Sequence, residues 1–267
     1  GGEGPEAAMA VINYFEGNPL FNAGIGATCT AEGTFELDAS IMEGKDLSAG
    51  AVAGLKHVKH PINAAYAVKA KSPHVMLSGA GAEEFAKEQG LEMVEDNMYF
   101  ATPKTMGWIE KLKQESKKNG TVGCVVLDKQ GNLTAGTSTG GMFKKRWGRI
   151  GDSPVIGAGT YADNNSCAVS CTGHGEYFIR HAVAFDVCAR YKYLKESVEK
   201  AADYIIHTEL NTNAGNGGLI AVDKLGNIAM PYNSGGMFRG FLYKEKGRPE
   251  IKKGCGIGKK IVVVGEK

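Results

Sequence analysis

The residues around Thr121 have the types that could form a covalent catalytic site. Gly120 precedes this threonine, and an apolar, β-type run at 122–127 follows it. If the Gly120–Thr121 bond were cut, Thr121 would carry both a hydroxyl and a free α-amine, whose ordinary pKa of about 8 makes it a usable base at neutral pH. One residue would then be nucleophile and proton acceptor. In an uncut chain, Thr121 is an ordinary β-branched residue at the start of a strand.

Arg149 and Asp152 form a second candidate group, in a loop that also contains glycine and proline. A guanidinium makes a two-pronged contact with a carboxylate, and an aspartate accepts hydrogen bonds from an ammonium. The two side chains therefore have the right types to hold the α-carboxylate and the α-amine of an amino acid. The alternative is a salt bridge on the surface.

A strand-to-helix turn at 170–176 contains Thr172, Gly173, His174 and Gly175. Backbone N–H groups and a hydroxyl at such a turn can point at one position, as an oxyanion site requires. His174 is either a group that contacts substrate or a packing and capping residue beside the helix N-terminus.

Signals for metal or phosphate chemistry are weak elsewhere. His57 and His60 have no cysteine or carboxylate at ligand spacing, and no glycine-rich stretch ends in the Gly-Lys-Ser/Thr of a phosphate-binding loop. The stretch at 18–26 is too rich in glycine and asparagine for a regular element. It is either a plain loop or one whose carbonyl groups converge on a cation or on the active site.

Composition narrows the class of protein. The 267 residues, 43% of them apolar, are enough for a closed core. A net charge of +2 argues against a nucleic-acid partner, and we interpret the Lys-Lys-Arg run at 144–146 as solvated surface. The six cysteines include no Cys-x-x-Cys pair, which favours a reducing compartment and predicts a cytoplasmic protein. No apolar run reaches about 18 residues, so we expect no membrane span.

Hydrophobic periodicity predicts a mixture of strands and helices. Strands are expected at 35–41, 48–55, 73–77, 122–127 and 167–172, and helices at 5–16, 61–70, 82–89, 174–193 and 194–206. The charged stretch 111–118 is the best linker candidate. The stretches that begin at 123 and 218 resemble each other, and each predicts a hairpin. Such hairpins favour an α+β fold in which sheets pack on each other with helices outside.

Eight motifs together carry a family resemblance. They are Pro-Leu-Phe-Asn-Ala-Gly-Ile-Gly at 19–26, Glu-Leu-Asp-Ala at 36–39, Ser-Pro-His-Val-Met at 72–76, Gly-Thr-Val-Gly at 120–123, Thr-Ser-Thr-Gly-Gly-Met at 137–142, Gly-Arg-Ile-Gly-Asp-Ser-Pro at 148–154, Gly-Ala-Gly at 157–159 and Cys-Thr-Gly-His-Gly-Glu at 171–176. With them the chain resembles the plant-type L-asparaginases/isoaspartyl peptidases, which are N-terminal-nucleophile hydrolases. The resemblance runs from about residue 2 to about residue 240.

The resemblance implies an αββα four-layer sandwich in a single domain, 1–267, that cuts itself before Thr121. The resulting chains, 1–120 and 121–267, are expected to associate as a dimer of such pairs. The implied reaction is hydrolysis of L-asparagine, of β-aspartyl dipeptides, or of both, as small-molecule substrates and through a threonyl acyl-enzyme. No cofactor for the chemistry is implied.

The same resemblance assigns residue roles. The implied catalytic residues are Thr121 as nucleophile, Thr139 beside it, and Thr172 with the Gly173 N–H as the oxyanion hole. The implied substrate-binding set is Arg149, Asp152, Gly175 and Asn22, of which Asn22 also braces Thr121. A structural sodium ion would be bound by the backbone carbonyls of Phe15, Glu16, Asn18, Phe21, Ala23 and Ile25.

Two features depart from the family pattern. The family opens with a strand that carries His-Gly-Gly and a helix, whereas this sequence begins after most of that. The strand-like run at 256–265 has no clear family counterpart and is a candidate for the vacant sheet position.

Two other functions stay open, namely glycosylasparaginase, which has similar Gly-Asp-Ser-Pro and Thr-Gly-His-Gly motifs, and an unprocessed, inactive scaffold. The loop at 20–26 argues against glycosylasparaginase.

Overall fold

The computed structural model describes residues 2–110, 120–244, 251–256 and 262–265. Its helices are α1 (Gly4–Glu16), α2 (Pro61–Lys71), α3 (Gly79–Glu88), α4 (Pro103–Glu110), α5 (Gly175–Arg180), α6 (Val183–Leu194), α7 (Val198–Tyr204) and α8 (Leu210–Thr212). Its strands are β1 (Leu37–Glu43), β2 (Ala49–Leu55), β3 (Met76–Ser78), β4 (Val122–Leu127), β5 (Leu133–Thr139), β6 (Thr160–Ala162), β7 (Cys167–Gly173), β8 (Gly217–Asp223), β9 (Ile228–Ala229), β10 (Arg239–Lys244), β11 (Ile251–Gly256) and β12 (Val262–Gly265). The predicted linker at 111–118 lies outside the described residues.

A five-stranded sheet in the order β3-β2-β1-β5-β4 joins the two halves of the chain. The predicted hairpins β1–β2 and β4–β5 are both present, and β1 pairs with β5 antiparallel between them. The register places Thr139 opposite Asp38, and Ser138 opposite Val122. The start of β4 therefore lies beside the end of β5, which brings residue 121 next to residue 139.

A four-stranded sheet, β6-β7-β8-β9, packs against β4 and β5 of the first sheet. Small hydroxylated side chains fill the space between them: Thr137 Oγ1 is 2.6 Å from Thr160 Oγ1 and 2.7 Å from Ser170 Oγ. A Cβ on Gly123 would overlap the Ser170 hydroxyl, so glycine permits the close approach. The hydroxylated run at 137–139 thus serves the contact between sheets as well as the site.

Helices pack on each of the two sheets. α1 and α2 contact the five-stranded sheet, and α6 and α7 contact the four-stranded sheet. The larger core holds the buried side chains of Ile12, Phe35 and Ile41, and a second core holds those of Phe178 and Ile205. Mixed helices and sheets of this kind confirm the predicted α+β class.

The single helix predicted at 174–193 is wrong, because the chain breaks at Ala182, which has a left-handed φ of 46°. α5 ends before this residue and α6 begins after it. The first turn of α6 donates outside the helix, with the Ala184 N–H 3.1 Å from the Ala158 carbonyl oxygen. The next helix starts at 198 rather than 194, because the Ser197 hydroxyl caps α7. The loop contact at Ala158 depends on tertiary structure, which helical periodicity does not report.

The end of the described chain forms a small sheet of its own. β10, β11 and β12 pair antiparallel in that order, and β12 does not add to either large sheet within the described residues. The suggestion that the run at 256–265 fills a vacant sheet position is therefore wrong for its described part. Strands adjacent in sequence pair with one another here, as hairpins commonly do. None of the described helices combines the length and apolarity that a membrane span needs.

Candidate active site

The hydroxyls of Thr121 and Thr139 form the centre of the site, with their Oγ1 atoms 2.9 Å apart. Thr121 is half-buried immediately before β4, and Thr139 is buried at the end of β5. Thr139 Oγ1 also accepts the Gly141 N–H at 3.0 Å. That donor occupies one lone pair of Thr139 and orients its hydroxyl against Thr121. The sheet order therefore brings together the two threonines that the sequence predicted.

The bond before Thr121 lies against the loop that contains Asn22. The Asn22 N–H donates to the Gly120 carbonyl oxygen at 3.2 Å. The Asn22 side chain is used elsewhere: Nδ2 donates to the Gly141 carbonyl at 2.8 Å, and Oδ1 accepts the Thr28 N–H at 2.8 Å. Asn22 thus joins Gly120 to the Gly141 turn. Its side-chain amide holds the loop that contains Asn22 in place.

Thr172 and Gly173 lie at the end of β7, opposite Gly218 and Gly217 of β8. A Cβ on Gly173 would lie 2.5 Å from the Asn216 carbonyl oxygen, which leaves room for glycine alone. Thr172 Oγ1 is 3.9 Å from the position that a Cβ on Gly120 would take. The end of β7 therefore reaches the bond between Gly120 and Thr121.

Arg149, Asp152 and Gly175 meet at the N-terminus of α5. A Cβ on Gly175 would lie 2.9 Å from both Arg149 Nη2 and Asp152 Oδ1, so glycine is needed for this approach. Glu176 completes the group, because its two carboxylate oxygens accept from Arg149 Nε and Nη2, both at 2.9 Å. His174 Nε2 lies 3.3 Å from Glu176 Oε2. Sequence reasoning missed Glu176, although its place one residue after Gly175 was available as a signal.

The Asp152 carboxyl in this cluster lacks a hydrogen-bond partner for one of its oxygens. Its carboxyl is buried, and Oδ2 has no hydrogen-bond partner among the described residues. Burial raises the pKa of Asp152 to about 7, although the nearby Arg149 guanidinium favours the ionised form. A buried acceptor of this kind is costly unless a donor occupies it. The geometry suits a positively charged donor such as an ammonium.

A sequence profile of the asparaginase family matches residues 1–250 of the chain. The chain belongs to this asparaginase family. The predicted family resemblance is therefore confirmed.

Named members of the asparaginase family are similar over most of their length. The isoaspartyl peptidase of Salmonella typhimurium (strain LT2) is 47% identical over an alignment of 252 positions, which covers 89% of this chain and 80% of that protein. The isoaspartyl peptidase of Escherichia coli (strain K12) is 44% identical over an alignment of 272 positions, which covers 92% of this chain and 85% of that protein. The isoaspartyl peptidase/L-asparaginase of Homo sapiens is 40% identical over 245 residues, spanning 89% and 79%.

In this asparaginase-family chain, the loop after α1 turns sharply at Gly24, where φ is 51° and a Cβ would overlap the Glu16 carbonyl. The Glu16 carbonyl accepts the Ile25 N–H at 2.7 Å. The Glu16 side chain points away from this carbonyl into the protein. Its buried carboxylate accepts a hydrogen bond from Ser138 Oγ at 2.7 Å and lies 3.1 Å from His60 Nδ1. Burial raises the pKa of Glu16, and the hydrogen bonds from His60 and Ser138 oppose that rise.

The backbone carbonyl oxygens that are expected to bind a sodium ion belong to this loop. Those of Phe15 and Asn18 accept the backbone N–H groups of Asn18 and Phe21, at 3.0 and 3.3 Å. The described residues contain no group of three or more histidine, cysteine, aspartate or glutamate side chains that could hold a metal. Backbone carbonyl oxygens are ligands of the type that hard cations take.

Lys145 lies inside the protein, although it was predicted to lie on the surface. The Lys-Lys-Arg run at 144–146 was predicted to be solvated, yet the Lys145 side chain is only 1% exposed. Its ammonium donates to the Glu36 carbonyl oxygen at 2.8 Å and lies 3.9 Å from Asp38 Oδ2. A charge run read from sequence alone gives no sign that one member turns inward.

Proposed function

We propose that this chain hydrolyses the side-chain amide of L-asparagine and the isopeptide bond of β-aspartyl dipeptides, with Thr121 as the nucleophile. The observation that carries the proposal is the 2.9 Å contact between the Thr121 and Thr139 hydroxyls. Membership of the asparaginase family and the names of its relatives, isoaspartyl peptidase and isoaspartyl peptidase/L-asparaginase, support the substrate class.

The first step that we propose is a cut between Gly120 and Thr121. The Thr121 hydroxyl oxygen attacks the Gly120 carbonyl carbon, and the Asn22 N–H, 3.2 Å from the Gly120 oxygen, stabilises the charge that develops there. The carbon–nitrogen bond breaks, an ester to Thr121 forms, and the released amine takes the hydroxyl proton. Water then hydrolyses the ester, which leaves a Gly120 carboxylate and an N-terminal Thr121. The small Gly120 tolerates the backbone angles that this step demands.

The second reaction uses the new terminus. The Thr121 α-amine takes the proton of its own hydroxyl, and the oxygen attacks the side-chain amide carbon of the substrate. The Thr139 hydroxyl orients this oxygen, and Thr172 with the Gly173 N–H stabilises the oxyanion. Ammonia or an amino acid leaves with a proton, and water hydrolyses the aspartyl ester to release aspartate.

The Arg149 cluster would hold the rest of the substrate. Glu176 occupies the Nε–Nη2 edge of the guanidinium, which leaves the Nη1–Nη2 edge for the substrate α-carboxylate. The unpartnered Asp152 Oδ2 would accept the α-ammonium, with Gly175 leaving room beside it. Both α-groups are thus fixed while the β-carbonyl faces Thr121, which accounts for action on asparagine and β-aspartyl peptides alike.

We further propose the architecture that such an enzyme needs. The two sheets and the helices on them form an αββα four-layer sandwich in a single domain, and the cut divides it into chains 1–120 and 121–267. Two such pairs associate as a dimer. Pairing of β1 with β5 would keep the two chains together after the cut, because these strands come from opposite sides of it.

We also propose a structural sodium ion. The backbone carbonyls of Phe15, Glu16, Asn18, Phe21, Ala23 and Ile25 would hold it. When bound, it would fix the loop that carries Asn22 and would supply no catalytic chemistry.

The raised pKa of Asp152 predicts a specific pH dependence. Burial moves this pKa from 3.8 to about 7, so the folded protein keeps a proton that the unfolded chain has lost. The stability that protonated Asp152 contributes is therefore present at low pH and is lost as the pH rises to about 7. Capture of an ammonium needs the ionised form, so kcat/KM for asparagine should rise with pH through about 7.

The control for this prediction is succinamate, which is asparagine without its α-amine. Its kcat/KM should lack the rise near pH 7, whereas titration of the Thr121 amine affects both substrates. Profiles of kcat/KM for the two compounds, measured in parallel, separate the groups. An identical inflection for both substrates would show that Asp152 does not receive the ammonium.

The test of the proposed function is the intact mass and N-terminal sequence of purified protein, together with a product assay. We expect two chains, of which one begins Thr-Val-Gly-Cys, and release of aspartate from both asparagine and a β-aspartyl dipeptide. A single uncut chain without activity would instead identify an inactive scaffold. Turnover of glycosylated asparagine in preference to β-aspartyl dipeptide would identify a glycosylasparaginase.

A further inference from the structure

Lys145 and Asp38 form a buried charged pair that the mechanism above does not use. Each side chain is 1% exposed, and Lys145 Nζ lies 3.9 Å from Asp38 Oδ2. Asp38 Oδ1 accepts the Gly54 N–H at 2.8 Å, and Oδ2 has no hydrogen-bond partner within the described part of the chain. Burial raises the pKa of Asp38 and lowers that of Lys145, and the charge of each partner opposes both shifts. Each group thus favours the ionised form of the other.

The Lys145 side chain lies across the turn that orients Thr139. Gly141 has a left-handed φ of 76°, and a Cβ there would be 3.0 Å from Lys145 Nζ and 3.2 Å from its Cδ. The Gly141 N–H is the donor to Thr139 Oγ1, which in turn contacts Thr121 Oγ1. The Lys145 ammonium therefore lies beside the turn whose N–H donates to the Thr139 hydroxyl.

Strand β1 supplies the anchor for this turn. Lys145 Nζ donates to the Glu36 carbonyl just before β1, and Asp38 lies within β1 opposite Thr139. The backbone adds a further tie, because the Lys145 carbonyl accepts the Ala31 N–H at 3.0 Å. Lys145 belongs to the segment after the proposed cut, whereas these partners belong to the segment before it. The ammonium thus links the two segments at the position of the catalytic pair.

We propose that Lys145, paired with Asp38, is a positioning residue that holds the Gly141 turn so that its N–H orients the Thr139 hydroxyl against Thr121. The inference rests on the proposed function, because it assigns Lys145 to the reaction of Thr121. Among the described residues, the hydrogen bond and ion pairs of the Lys145 ammonium are with Glu36 and Asp38, and not with Thr121, Arg149 or Asp152. Its removal should therefore slow the chemical step more than it weakens substrate binding.

The experiment compares Lys145→Met, Asp38→Asn and the double variant with wild type. Methionine keeps the length and packing of the side chain but removes the ammonium, and Lys144→Met is the matched control one residue away. The Lys144 ammonium lies over the Phe143 ring, 5.5 Å from its centroid. The measurements are kcat and KM on a β-aspartyl dipeptide per mole of chain beginning at Thr121, the rate of the cut, and Tm.

We expect Lys145→Met to lower kcat by about 10- to 100-fold while KM changes by less than about 3-fold, as a misplaced catalytic group requires. Its Tm should fall, because Asp38 becomes an unpaired buried charge. The double variant should regain Tm but not kcat, and Lys144→Met should match wild type in both. A Lys145→Met protein that folds but cuts itself slowly between Gly120 and Thr121 would also support the inference, because the Thr121 hydroxyl makes that cut too.

Three outcomes overturn the inference. The first is Lys145→Met with kcat within about 2-fold of wild type, a change too small for a positioning residue. The second is a double variant that recovers kcat together with Tm, and the third is a double variant that does not fold; either would make the pair purely structural. Wild-type protein that neither cuts itself nor releases aspartate would instead remove the proposed function. The two failures are therefore distinguishable.

Discussion

Thr121→Ala should leave the chain uncut and reduce aspartate release by at least about 10⁴-fold, the scale on which loss of a catalytic nucleophile acts. The alanine retains the strand position before β4 but removes the oxygen that lies 2.9 Å from Thr139 Oγ1. No attack on the Gly120 carbonyl is then possible, so no free α-amine forms. Both proposed reactions fail through the loss of one atom.

A denaturing gel and a coupled aspartate assay check this result. Thr212→Ala is a suitable control, because Thr212 is exposed on α8 and its hydroxyl bonds only to the Thr208 carbonyl among the described residues, at 2.7 Å. That variant should give the same two bands and the same turnover as wild type. Activity of Thr121→Ala at the level of the control would refute the assignment of the nucleophile.

Arg149→Ala should lower kcat/KM for asparagine by at least about 10²-fold, because charge-assisted hydrogen bonds to the substrate carboxylate are lost. The loss should appear mainly in KM. The cut at Gly120 should continue, since the hydrogen bonds of the Gly120 carbonyl and the Thr121 hydroxyl involve Asn22 and Thr139 rather than Arg149. Arg149 thus separates substrate capture from maturation.

Arg190→Ala provides the matched control for loss of a paired arginine. Arg190 makes a similar two-pronged contact with Glu196, with Nε 2.8 Å from Oε2, and its side chain is 17% exposed against 19% for Arg149. Its replacement should lower stability without changing KM. Steady-state kinetics and a denaturing gel on both variants decide the matter. Uncut Arg149→Ala protein, or an unchanged KM, would show that Arg149 has another role.

Much of the fold was predictable because its signals are local. Alternating and β-branched runs separated by glycine-containing turns predicted the hairpins β1–β2 and β4–β5, which the structure confirms. Pro61 and Gly17 marked a helix start and a helix end correctly. Short motifs predicted the family correctly, because they contain the glycines and polar side chains that form the site around Thr121.

The failures share a physical cause. The break at Ala182 and the inward turn of Lys145 both depend on contacts with residues far away in sequence, Ala158 in one case and Glu36 and Asp38 in the other. Periodicity and charge runs describe each segment alone, so they cannot report a partner that folding supplies. The place of Glu176 directly after Gly175 was visible in the sequence, but only the folded chain puts its carboxylate on the guanidinium of Arg149.

The sequence by itself determined which reactive groups the chain owns and which local elements carry them. It placed Thr121 before a strand, Thr139 in a hydroxylated run, and an arginine near an aspartate. Only the tertiary structure decided which of them meet, because the order β1-β5-β4 brings the two threonines to 2.9 Å. It also decided their electrostatics: exclusion of water raises the pKa of Asp152 and lowers the pKa of Lys145, and packing imposes that exclusion whereas sequence spacing does not.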